Sequence, residues 1–120
     1  MAEQRVEGHV LADAKIESRD WYAWNDLQPL GPPRFHVVGE VQVPNPGIHT
    51  LLVPKSPQGI NPLILLLDLY LKQEPGIWPQ VVVWVPARYD KQPGYYRQVQ
   101  IFYGEQVIAE DSVIPVHDIY

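Results

Sequence analysis

A chain of 120 residues holds material for one domain spanning 1–120, and its 46% apolar content argues against disorder beyond the polar, loose stretch Met1–Gly8. Thirteen prolines argue against long helices, and a scattered net charge of −5 without a basic stripe argues against nucleic acid or an anionic membrane as partner. The absence of cysteine removes disulfides, thiolate metal sites and cysteine nucleophiles; with no basic-apolar leader after Met1 and no run near the ~20 residues of a membrane span, it predicts a soluble cytoplasmic protein.

In chain order, Val10, Ala12, Ala14 and Ile16 alternate with charged residues, which predicts a strand with one wet face. Trp21-Tyr22-Ala23-Trp24-Asn25-Asp26 follows as an aromatic-dense stretch leading into the Pro-rich segment Leu27–Pro33, read as a crossover loop. Phe35–Val43 sets Val37, Gly39, Val41 and Val43 against His36, Val38, Glu40 and Gln42, a half-exposed strand in which Gly39 marks a bulge or a close backbone approach. Pro44-Asn45-Pro46-Gly47 is a turn, Ile48–Val53 a short strand and Lys55–Pro62 a loop.

The centre of the chain is apolar. From Leu63 to Leu71 every odd position is leucine, whereas the even positions pass from Ile64 and Leu66 to Asp68, Tyr70 and Lys72. One face of this strand is therefore apolar throughout and the other emerges into water. Gln80–Ala87 is a second run, rich in β-branched Val81, Val82, Val83 and Val85, with proline near both ends. The turn residues of Gln73–Pro79 between them predict that the two runs pair as a buried antiparallel hairpin. Gly59-Ile60-Asn61-Pro62 and Gly76-Ile77-Trp78-Pro79 share a Gly-Ile-x-Pro pattern at the entrance of each run.

Arg88–Gly94 reads as a polar turn. Tyr95, Arg97, Val99, Ile101 and Tyr103 then alternate with Tyr96, Gln98, Gln100 and Phe102, Gly104-Glu105 reads as a two-residue hairpin turn, and Val107–Glu110 returns, with Ser112–Val116 continuing it or forming an edge strand. Some seven or eight strands with Pro/Gly turns predict an antiparallel, immunoglobulin-like β-sandwich, with a small closed β-barrel as the alternative. Trp84 stands where such a sandwich carries a core tryptophan.

No catalytic signature, cofactor motif or metal spacing is present. His9, His36, His49 and His117 are isolated in sequence; only folding could bring His36, His49 and Asp118 together. Ser18, Ser56 and Ser112 lack a nucleophile-elbow context, and the adjacent carboxylates Glu110-Asp111 read as a solvated face. The expected function is a non-enzymatic binding or protein–protein interaction module, its partner another protein or a second copy of itself as a homodimer. The alternative is a small-molecule or carbohydrate binder, or a minor enzyme, stacking its ligand on aromatic loops. In both cases the candidate ligand-binding residues are Trp21, Trp24, Asn61, Trp78, Arg88 and Tyr95.

Overall fold

A computed structural model describes residues 16–29, 31–91 and 95–116. These form seven strands: β1 (Ser18–Asp26), β2 (Arg34–Val43), β3 (Ile48–Pro54), β4 (Ile64–Gln73), β5 (Val83–Lys91), β6 (Gln98–Tyr103) and β7 (Gln106–Val116). Most of the strand predicted over Val10–Ile16 lies outside the described residues, which contain no helix and hence none long and apolar enough to cross a membrane.

Alternation decides which side chains are inside. On β4, Leu65, Leu67, Leu69 and Leu71 are all at most 2% exposed, while Tyr70 and Lys72 face solvent. On β2 the inward set is Phe35, Val37, Gly39, Val41 and Val43, and β6 adds Val99 and Ile101. Together with Ala23, Leu52 and Ala87 these residues make one core.

All seven strands belong to a single sheet in the order β3-β4-β6-β7-β1-β2-β5. The predicted two-sheet immunoglobulin-like sandwich is therefore corrected to a nearly closed barrel, the stated alternative. The cause is β7, whose first part, Gln106–Ser112, pairs antiparallel with β6 while Val113–Val116 pairs parallel with β1. One long strand thus joins both halves, and a second parallel pairing, β4 with β6, makes the sheet mixed rather than antiparallel throughout. At the seam the edge strands β3 and β5 meet without a ladder, and Thr50 Oγ1 donates to the Pro86 carbonyl at 2.7 Å. A strand residue turns its N and C=O to the same side. Pro86 therefore puts a missing donor on the edge of β5 that faces β3, where a ladder bond would be needed to close the barrel.

The predicted central hairpin is also corrected. β4 pairs with β3 and β6, whereas β5 pairs only with β2, from Phe35↔Lys91 to Val43↔Val83. The segment between them crosses the barrel end instead of reversing, because it docks on the 44–47 turn. The Trp78 indole lies over Gly47, where a Cβ would stand only 2.3 Å from the ring, and its Nε1 donates to the Glu74 carbonyl at 2.9 Å. Glu74 N in turn donates to the Gly47 carbonyl at 2.8 Å. Val81 and Val82, expected inside, are consequently exposed in the crossing segment.

Asn45 fixes this junction. It is 7% exposed, its Nδ2 donates to Gln73 Oε1 at 2.8 Å, and its Oδ1 accepts from Gln73 Nε2 at 3.0 Å and from Gly47 N at 2.8 Å. Asn45→Ala strips partners from the buried Gly47 N–H and from both ends of the half-buried Gln73 amide, so urea denaturation should show a loss of about 1–3 kcal/mol. An unmoved midpoint would mean that the amide pair does not hold the junction.

The hairpin at Gly104-Glu105 is present as predicted: Tyr103 pairs with Gln106, and Gly104 takes the positive φ, 64°, that the turn requires. Trp21–Asp26, read as an aromatic stretch before a loop, is most of β1.

Candidate interaction surface

The pairings place β1, β2 and β5 side by side, and residues in register share a face. Opposite the core, the outward residues form rows across these strands. Trp24 stands beside His36 and His36 beside Asp90; Tyr22 beside Val38 and Val38 beside Arg88; Arg19 beside Glu40 and Glu40 beside Pro86; Gln42 beside Trp84. From β7, Ile114 stands beside Trp24. Tyr22 and Ile114 are 44% and 43% exposed, and the Trp24 and Trp84 rings are half-buried.

Neighbours hold these side chains in place. Trp24 stacks on His36 with ring centroids 4.8 Å apart, and Tyr22 leans on Trp24 at 5.4 Å. Trp84, expected in the core, is instead outward with the Arg19 guanidinium 3.9 Å above its ring, and Arg19 Nε also donates to Glu40 Oε1 at 2.8 Å. His36 Nδ1 lies 2.5 Å from Asp90 Oδ1, and Arg88 Nε donates to Asp90 Oδ2 at 2.9 Å. Since an ionised carboxylate only accepts, His36 carries its proton on Nδ1. Burial alone would lift the Asp90 carboxyl, but hydrogen bonds and charge from Arg88 and His36 outweigh it and hold the group below the ordinary carboxylate value.

At the upper end of this face Arg34, His36, Arg88, Asp90 and Lys91 line an open depression of about 420 Å³. Lys91 reaches it from the barrel rim, where its Nζ donates to Tyr96 Oη at 3.1 Å. The imidazole is oriented as a general base would be, yet among the described residues no hydroxyl is bonded to it, and no group of three or more His, Cys, Asp or Glu is placed to hold a metal ion.

Of the residues expected at a ligand site, Trp24 and Arg88 share this face. Trp21 instead lies inward over Gly39, with Nε1 donating to Ser18 Oγ at 2.9 Å. Trp78 is at the opposite end of the barrel on Gly47. Asn61 belongs to the β3–β4 loop, where Oδ1 accepts from Leu63 N at 2.9 Å and closes a turn. Tyr95, 63% exposed, precedes β6 at the same end as Asn61. Its neighbour Tyr96 is tied down by Asn25, whose Nδ2 donates to the Tyr96 carbonyl at 2.9 Å. His49 pairs with Glu74 at 3.2 Å near the lower end, well apart from His36 on β2, and Asp118 lies outside the described residues.

Asp90, Arg34 and Tyr22 were not singled out from sequence as site residues, and His36 was considered only for a metal site with His49 and Asp118. The usable signal was alternation: Arg88 and Asp90 are two apart, as are Tyr22 and Trp24 and also Arg34 and His36, so each pair falls on one side of its strand. No family model, curated protein or solved structure matches the chain.

Proposed function

We propose that the protein is a non-enzymatic protein-interaction module whose contact surface is the outer face of β1, β2 and β5. One observation carries this reading: that face gathers Tyr22, Trp24, Trp84, Arg19, Arg34 and Arg88, the residue types that dominate binding hot spots, on paired strands. Rings and guanidinium groups already held by neighbours lose little side-chain freedom on binding, which favours affinity. A small-molecule or carbohydrate pocket is the weaker reading, because such sites are concave and mostly apolar, whereas this depression is open and lined by charge. The partner is a second protein or another copy of this chain.

The experiment is site-specific photo-crosslinking with benzoylphenylalanine replacing Tyr22, an aromatic exchange at an exposed position. Discrete adducts are expected, with a second copy in purified protein or with a partner in source lysate. Trp84→Ala and Arg88→Glu should each reduce their yield at least about tenfold, while Ile77→Ser, at the far end of the barrel, should leave it unchanged. Adducts indifferent to Trp84 and Arg88, or no discrete adduct at all, would overturn the reading.

A further inference from the structure

On the lower half of the outer face the Arg19 guanidinium carbon stands 3.9 Å above the Trp84 ring, with Nε tied to Glu40 Oε1 at 2.8 Å and Asp20 Oδ2 3.7 Å away. A guanidinium is a plane with two faces and a rim of donors. Trp84 takes one face and Glu40 takes part of the rim. Among the described residues no second ring lies on the other face, and the Arg19 side chain keeps 48% of its surface exposed. Two neighbouring strands hold the group in place: Glu40 comes from β2, and Trp84 from β5. The cation therefore turns a fixed, weakly hydrated face to solvent.

Two chemistries suit an exposed guanidinium, a carboxylate on its rim or an aromatic ring on its face. Charge decides between them here. Asp20 and Glu40 already set two carboxylates beside one cation, and Arg88, on the same face, is bonded by Asp90. An acidic side chain arriving at Arg19 would meet repulsion, whereas an uncharged ring meets a cation whose stacking surface is open. The ring also displaces no hydrogen bond, because a guanidinium donates in its plane and not through its face. Resting on the reading of this face as the contact surface, we infer that Arg19 recognises an aromatic side chain of the partner protein, which stacks on the guanidinium from outside and completes a ring–cation–ring sandwich with Trp84. The order that Glu40 and Trp84 impose in advance keeps the entropy cost of stacking low.

The probes are the capped peptides Ac-Gly-Trp-Gly-NH2, Ac-Gly-Leu-Gly-NH2 and Ac-Gly-Asp-Gly-NH2, titrated into the ¹⁵N-labelled full chain. The tryptophan peptide is expected to move the Arg19 Nε–H resonance upfield by ring current, to move the Trp84 indole N–H with it, and to bind about fivefold more tightly than the leucine peptide. The aspartate peptide should leave both resonances in place. Arg19→Lys keeps the charge and removes the plane; followed at the Trp84 indole, it should weaken the tryptophan peptide toward the leucine value. Equal binding of the tryptophan and leucine peptides, shifts that spare Arg19 and Trp84, tightest binding by the aspartate peptide, or an unchanged affinity in Arg19→Lys would overturn the inference. Failure here leaves discrete Tyr22 adducts standing, whereas selective stacking at Arg19 in a protein that gives no adducts would sink only the wider reading.

Discussion

Leu67→Ala is expected to cost about 2–5 kcal/mol, the range for emptying a fully buried leucine site. Leu67 is 0% exposed in the middle of β4, with Ile101 of β6 beside it on one side and Pro54 of β3 on the other. Strands pinned on both sides cannot collapse far into a void, which places the cost in the upper part of that range. A domain of this size holds about 5–15 kcal/mol in total, so the variant should unfold at much lower urea or populate the unfolded state without denaturant. Leu51→Ala is the control. Leu51 is in β3 but points outward and is 58% exposed, so its removal should change stability by no more than about 0.5 kcal/mol. Equal midpoints for the two variants would mean that the leucine-lined face of β4 is not the centre of the core.

That face was legible because alternation reports which side of a strand is dry, and β4 alternates without interruption. The same logic located β2 and β6, while turn residues bracketed β3 and marked the β6–β7 hairpin. It could not report neighbours. A strand with an apolar face looks the same whether it pairs with the next strand or with one seventy residues away, so the runs on β4 and β5 read as a hairpin although their partners are β3, β6 and β2. What diverts the chain is tertiary: Trp78 on Gly47 and the amide pair of Asn45 with Gln73. β1 was hidden for a different reason. Asp20 takes φ 58° and the register slips between Arg19 and Tyr22, so the alternation restarts partway along, and Asn25 puts a turn-type residue at a buried position.

The candidate surface was legible only in fragments. Trp24 and Arg88 are sixty-four residues apart in the chain and share a face solely through the β1–β2–β5 pairing. Arg88-Tyr89-Asp90-Lys91 read as a polar turn because three of its four residues are charged; in the folded chain it is the end of β5, with Tyr89 packed toward the core and Arg88 and Asp90 outside. Extending the period of two through Lys91 would have set Arg88 and Asp90 on one side. It could not have put His36 opposite them.

Gly39→Ala should destabilise the protein by about 1–3 kcal/mol, against the sign that strand propensity alone would give. Glycine inside a strand is unfavourable by about 0.5–1 kcal/mol relative to alanine, so an alanine with room for its methyl would be a gain. Here there is no room. Gly39 faces inward on β2, and the Trp21 indole occupies the space where a Cβ would stand. Moving the ring also pulls its Nε1 from Ser18 Oγ. The flat indole over a bare stretch of backbone fastens the entrance of β1 to β2, as Trp78 on Gly47 fastens the crossing segment to the 44–47 turn. If the contact is the cause, the cost must vanish when the ring is gone. In Trp21→Leu, itself less stable than wild type, adding Gly39→Ala should be neutral or stabilising, giving a coupling energy of about 1–3 kcal/mol in the double-mutant cycle. Additive effects in chemical denaturation would separate the two residues, and a stabilised single variant would show that the ring does not lie on this glycine.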